Sequence, residues 1–269
     1  MLGSIAGDIV GSIYEFANIK TKDFEFFQPE MERTDDSILC IATADWLLHG
    51  GDVSHYYSRY ALEYPYPMGG YGGMFKAWSS KVARQGIHEP YNSCGNGSAM
   101  RIAPVGWAFE TEREVLEAAK VSASCTHNHP EGIKGAQATA LCIFLARQGH
   151  TASDIRARIE RDFSYDLSMS VKELQRRYSW QGIDGKGDGG ICQDSVPQAI
   201  ICALQAKDFE DAIRNAISIG GDSDTIGCIA GGIAEALYGI PESIKERAWK
   251  YLDETECRTV RSFIQKYNI

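Results

Sequence analysis

No stretch of the sequence reaches the ~20 consecutive apolar residues of a transmembrane helix, so no membrane span is expected. Cysteines at metal or redox spacing are missing as well. The eight stand at 40, 94, 125, 142, 192, 202, 228 and 257, without a Cys-x-x-Cys pair. Several fall inside apolar helical patterns, which predicts reduced, buried thiols and a cytoplasmic setting. Positive charge is in deficit, 27 Lys and Arg against 36 Asp and Glu for a net −9, which argues against a general nucleic-acid or anionic-membrane surface. A local phosphate site built from backbone N–H groups stays open. The opening Met-Leu-Gly-Ser-Ile-Ala-Gly-Asp lacks a basic region and carries an early acid, unlike a secretory signal. Internal repeats, low-complexity tracts and the alternating pattern of half-buried strands are absent too. What is left, 269 residues with 44% hydrophobic and 23% charged, is ordinary for a soluble globular chain. It predicts an all-α fold in a single domain, 1–269.

The chain is organised around Gly220-Gly221-Asp222-Ser223-Asp224-Thr225-Ile226-Gly227. Two glycines give a flexible entry, two carboxylates follow, and a helix rich in small residues continues from them. Asp222 and Asp224, two apart, diverge within a regular helix; they converge only where the backbone still turns, at the helix mouth. Free N–H groups and the positive dipole end there are expected to keep both acids ionised. Far upstream, Thr34-Asp35-Asp36-Ser37 precedes Ile38-Leu39-Cys40-Ile41-Ala42 in the same shape. Either run alone reads as an N-cap. A cap needs one oxygen, however, and each run offers two carboxylates and a Thr hydroxyl. Four carboxylates brought together repel unless divalent cations sit among them, so a shared binuclear hard-metal site is expected.

Residues 3–16 read as a helix with Gly3, Gly7 and Gly11 on one face. Each glycine costs roughly 1 kcal/mol relative to Ala in a helix, so three imply close backbone packing. Asp8 and Glu15, seven apart, share a face; Asp8 also suits a cap partner. Further helices are expected at 37–49, 53–63, 74–85, 102–109, 113–123, 131–148, 153–162, 195–206, 208–218 and 252–267, with a helix also following the central run. Asp194 or Ser195 would cap the helix at 195 and Pro197 would lie in its first turn. The polar segment 163–192 reads as irregular. Tyr64-Pro-Tyr-Pro-Met-Gly-Gly-Tyr-Gly-Gly73 is a loop able to cradle a ligand, though no P-loop. Asn92-Ser93-Cys94-Gly95-Asn96-Gly97-Ser98-Ala99-Met100-Arg101 is a Gly-rich turn into a helix, open to phosphate oxygens through its N–H groups; an ordinary Asn-Gly turn reads the same way. Cys125 and His127 lie too near in sequence to face each other as nucleophile and base. His127 and His129 lack the further ligands that zinc requires, which leaves one imidazole directed into a pocket.

The ordered set Gly7-Asp8…Glu15, Thr34-Asp35-Asp36-Ser37, Gly95-Asn96-Gly97-Ser98-Ala99-Met100-Arg101, Thr126-His127 and Gly221-Asp222-Ser223-Asp224-Thr225-Ile226-Gly227 resembles the ADP-ribosylglycohydrolase family from residue 3 to about 240. The resemblance implies an all-α fold with a pair of Mg²⁺ or Mn²⁺ ions in a cleft and release of ADP-ribose from modified proteins. The target-linked glycosidic bond would be cut, with ADP-ribosyl-arginine as the leading substrate. It further implies Thr34, Asp35 and Asp36 as one half of the metal shell, and Asp222, Asp224 and Thr225 as the other, with Asp224 bridging. Glu15 would orient or deprotonate the water, supported by Asp36 or Asp222. Gly70, Tyr71 and Gly72, together with Ser93, Cys94, Asn96, Gly97 and Ser98, would hold the diphosphate and distal ribose, and His127 would be the pocket histidine. Ser37, Cys94 and Cys228 depart from the residues common at those positions in the family. Nucleic acid is expected only as a modified substrate, no membrane partner is expected, and the chain is expected to act as a monomer. Two rival readings use the same residues: an ADP-ribose-binding module without turnover, and a metal-dependent nucleotide phosphohydrolase.

Overall fold

The computed structural model describes residues 1–269. In chain order it contains α1 (Leu2–Gly11), a 3-10 turn (Ser12–Tyr14), α2 (Asp35–His49), α3 (Val53–Glu63), α4 (Gly73–Gln85), α5 (Gly97–Met100), α6 (Ala103–Ala108), α7 (Glu112–Ser124), α8 (Pro130–Arg147), α9 (Ala152–Phe163), α10 (Val171–Arg177), β1 (Tyr178–Ser179), β2 (Gly182–Ile183), α11 (Cys192–Leu204), α12 (Phe209–Ser218), α13 (Ser223–Tyr238), α14 (Glu242–Trp249) and α15 (Glu254–Tyr267). The architecture is all-α apart from the β1–β2 hairpin, which pairs Tyr178 with Ile183 and Ser179 with Gly182. Local chemistry sets many of the starts. Thr34, Asp52, Thr111, Thr151, Ser170, Asp208 and Asp253 each accept a backbone N–H of the following first turn, satisfying donors the helix leaves free.

α13 runs through the centre, buried from Ser223 to Ala234, and packs on α1, α8, α11 and α12. Its contact with α1 is backbone against backbone. A Cβ on Gly11 would come within 2.5 Å of Asp224 Cα, and one on Gly227 within 2.5 Å of Gly7 O. Gly3 meets Gly231 in the same way. The glycine spacing thus seats α1 against α13 and brings residues of α1 beside the first turn of α13.

Several boundaries differ from the sequence expectations, each for a physical reason. The first helix ends at Gly11 and tightens into the 3-10 turn, with Ser12 Oγ donating to Ile9 O at 2.8 Å. Glu15 therefore leaves the helix and does not follow Asp8 on a helical face. α11 begins at Cys192, so Pro197 lies inside it and Ile191 occupies the cap position. A tertiary tie sets that start: Cys192 N donates to Cys94 O at 2.9 Å, beside a bridge between Gly95 and Ile191. The segment 163–192 is more regular than expected, holding α10 and the hairpin. α10 is closed by a Ser170–Glu173 capping box. α14 lies in a stretch with no predicted helix.

Candidate active site

The helix mouths converge on a cavity of about 540 Å³ lined by Glu15, Asp35, Asp36, Asp222, Asp224 and Thr225, among others. Thr34 is the N-cap of α2 and Asp222 that of α13. One carboxylate oxygen each from Asp8, Asp36 and Asp224 lie within 4.8 Å of one another, as do oxygens of Glu15, Asp222 and Asp224. Asp224 belongs to both sets. Acids nearly the whole chain apart in sequence thus meet because α1, α2 and α13 come together at one end.

Asp8 organises this meeting. Fully buried, it takes Thr34 Oγ1 on one oxygen at 2.6 Å. Its other oxygen accepts Thr34 N at 3.0 Å, Ser37 N at 3.1 Å and the Ser37 hydroxyl. A carboxylate on α1 therefore caps α2 from outside and fixes the direction of Asp36. The Gly220–Gly221 entry to α13 is held similarly: both glycines have positive φ, and Asn18 bonds Gly221 through its amide N–H and carbonyl, each at 2.8 Å. Asn96 Nδ2 donates to Asp222 Oδ2 at 2.7 Å. Glu15 is held at its carbonyl by Trp180 Nε1 at 2.8 Å, and its side chain is covered by Gly69, where a Cβ would stand 2.7 Å from Oε2.

Burial and mutual repulsion dominate the electrostatics. The carboxyls of Asp35, Asp36 and Asp224 are pushed well above the usual range by burial first and by their acidic neighbours second. Asp222 is raised by burial, against hydrogen bonds from Asn96 and Thr225 that oppose the rise. Glu15 is pushed up to about 7 by burial, then by Asp222 and Asp8. For Asp222 and Asp224, expected to stay ionised at the helix mouth, the dipole end contributes about 0.3–1 kcal/mol, too little by itself against several like charges in one buried place. A cation among them reverses the balance. The donors fit a hard divalent ion. All are oxygen, Asp36 Oδ1 is buried with no hydrogen-bond partner, and the Cys228 thiol is spent on Met100 O, to which it donates at 3.2 Å. Oxygen-only sets suit Mg²⁺ or Mn²⁺ over zinc.

The opposite walls come from the two Gly-rich loops. Thr34 bridges to Met68, which holds the 64–73 loop beside the acids, and Gly70, Tyr71 and Gly72 line the cavity. Ser93, Asn96, Gly97 and His127 line it as well. Not every residue expected in the pocket reaches it. Ser98 turns into the core, donating to Gly132 O at 2.7 Å, because α5 starts at Gly97 and rotates it away. Cys94 acts through its carbonyl, the anchor of α11. Thr34 lies behind the lining, its hydroxyl engaged by Asp8 and Asp36 N. Asp35 lines the cavity but belongs to neither carboxylate set. Cys125 donates to Ser122 O and His129 caps α8, so neither joins His127. Sequence reasoning missed Tyr91 and Arg101 on the cavity wall, and it left Asp8 outside the site; its suitability as a cap partner was the available signal.

The molecule is a helical domain whose helix N-termini deliver clustered carboxylates to one end of a glycine-walled cleft. The chain belongs to the ADP-ribosylglycohydrolase family, whose model matches residues 1–267. It is 30% identical to human ADP-ribosylhydrolase ARH3, over 95% of this chain and 89% of that protein. It is 26% identical to the ADP-ribosylarginine hydrolase Tri1 of Pseudomonas putida, over 93% of this chain and 73% of the relative. A solved structure titled ADP-ribosylglycohydrolase-related protein complex shares the fold, with a TM-score of 0.70 and 24% identity over 98% of this chain and 95% of that one.

Proposed function

We propose that this chain is a hydrolase that releases ADP-ribose from modified targets by cutting the glycosidic bond at the target-linked ribose, with divalent Mg²⁺ or Mn²⁺ held by Asp36, Asp222, Asp224, Asp35 and the hydroxyl of Thr225, and Thr34 behind them fixing the start of α2. The observation that carries this is the pair of carboxylate sets joined through Asp224, at the end of a cavity whose other walls are glycine-rich. The relatives named as ADP-ribosylhydrolases support it. Bound there, such ions supply Lewis-acid orientation of a sugar diol and a water.

The chain's own residues do the rest. Glu15 stands beside Asp222 and Asp224, where its carboxylate is placed to orient a water and accept its proton. Asn96 keeps Asp222 turned towards the cavity. Clustered negative charge stabilises the oxocarbenium-like transition state of glycosidic cleavage. The leaving group we propose is arginine, in line with the name of the Pseudomonas relative. The test is incubation with ADP-ribosylated arginine and serine peptides, with and without chelator, followed by product identification. Free ADP-ribose formed only without chelator, and from the arginine peptide, supports the reading. AMP or phosphate as product, or no turnover of either peptide, overturns it.

A further inference from the structure

Arg101, Thr126 and His127 form a buried cluster behind the 93–98 turn. Arg101 is fully buried with its guanidinium 4.0 Å from the centroid of the Tyr57 ring. Its Nη2 donates to Ser122 O at 2.9 Å and to Thr126 Oγ1 at 2.8 Å, and no carboxylate is paired with it. Thr126 Oγ1 in turn lies 2.8 Å from His127 Nδ1.

Donor and acceptor rules favour one direction for this chain of bonds. A guanidinium only donates, so Thr126 Oγ1 accepts from Arg101. The hydroxyl has one proton, and the ring nitrogen at 2.8 Å is an acceptor in line for it. The reverse arrangement would aim ring and guanidinium donors at one hydroxyl and leave its proton to the Tyr91 hydroxyl alone. With its Nδ1 lone pair engaged, the neutral ring carries its proton on Nε2. That nitrogen faces the turn: a Cβ on Gly97 would stand 3.1 Å from it and one on Gly95 3.5 Å. The glycines keep the space before it open to the cavity.

We propose that Arg101 and Thr126 are positioning residues that lock His127 as its Nε2–H tautomer, so that the cavity meets a neutral imidazole donor between Gly95 and Gly97, matched to an anionic phosphate oxygen. This rests on the ADP-ribose reading for the identity of the anion, though not for the tautomer. Burial and the Arg101 charge hold the His127 imidazole well below its ordinary range, which keeps the second proton off.

The experiment is nitrogen NMR of the ligand-free protein labelled with ¹⁵N-histidine, His127 being assigned by its loss in His127→Gln. The wild type shows a pyridine-type Nδ1 and a pyrrole-type Nε2 at neutral pH. Thr126→Val loses this single tautomer and binds ADP-ribose about 10- to 100-fold more weakly, the loss of one charge-assisted hydrogen bond; Thr126→Ser restores both. Tyr91, whose hydroxyl also faces Thr126, is the control: Tyr91→Phe leaves the tautomer unchanged. An Nδ1–H ring or an imidazolium in the wild type overturns the proposal, as does wild-type ADP-ribose affinity in a folded Thr126→Val. A wild type with the Nε2–H ring that binds no ADP-ribose upholds the tautomer and overturns the functional reading instead.

Discussion

Gly11 of α1 lies against Asp224 of α13 so closely that a Cβ on the glycine would come within 2.5 Å of the aspartate Cα. The contact that packs the two central helices is thus the same one that seats a carboxylate common to both acid sets. Packing and site geometry are coupled at this point.

Gly11→Ala tests that coupling. An alanine in a free helix position stabilises, but here backbone must shift, at a cost of about 1–3 kcal/mol. The melting temperature is expected to fall by roughly 2–4 °C per kcal/mol, and Mg²⁺ or Mn²⁺ affinity should weaken with it. Gly73→Ala, with nothing within 4 Å of its Cβ, should leave the melting temperature unchanged or slightly raised. Differential scanning calorimetry with and without cation checks both.

Asp8→Asn removes an acceptor that Thr34 and Ser37 share. An amide cannot accept on both arms, so buried donors lose partners at about 1–3 kcal/mol each. Misdirection of Asp36 should weaken cation binding about 10- to 100-fold. Isothermal titration with Mn²⁺ reads the change; unaltered affinity would show that Asp8 does not direct the site.

The raised acids give the cation-free protein a definite pH dependence. Glu15 has an ordinary value of 4.5 and about 7 in the fold. Between these values the folded chain holds a proton that the unfolded chain releases, so stability is lost as pH rises through the window. Asp35, Asp36 and Asp224 are raised as well and act in the same direction. With chelator, the melting temperature should therefore decline from about pH 5 to about pH 7. Cation at ~100 times its dissociation constant should add about 2.7 kcal/mol and offset the decline. A chelated melting temperature that rises over this range contradicts the sign.

Glu15→Gln keeps shape and removes the base. We expect kcat for ADP-ribose release to drop about 10²- to 10⁴-fold, while the cation-induced rise in melting temperature persists. Full activity in this variant would reassign the base.

Much of this was legible in the sequence because helix signals are local. Thr34 and Asp222 stand at helix mouths as capping chemistry predicts, and the Gly3, Gly7 and Gly11 spacing announced a close backbone contact. Illegible features depend on partners distant in sequence. Asp8 suited a cap partner, but which helix it caps shows only where Thr34 and Ser37 close on it. The start of α11 is fixed by the Cys94 carbonyl, which no pattern near Pro197 reveals. Ser98 looked like a ligand contact, yet one residue of helical rotation after Gly97 turns it to Gly132. The hairpin after α10 is clasped by Arg177 and Asp184, 2.6 Å apart, within a segment whose polarity suggested no structure.

The most direct test is diffraction at the manganese edge from crystals soaked in Mn²⁺. The account predicts two anomalous peaks in the cleft, flanking Asp224, one towards Asp36 and one towards Asp222 and Glu15. A cleft without anomalous density at saturating Mn²⁺, or peaks confined to surface carboxylates, would contradict it.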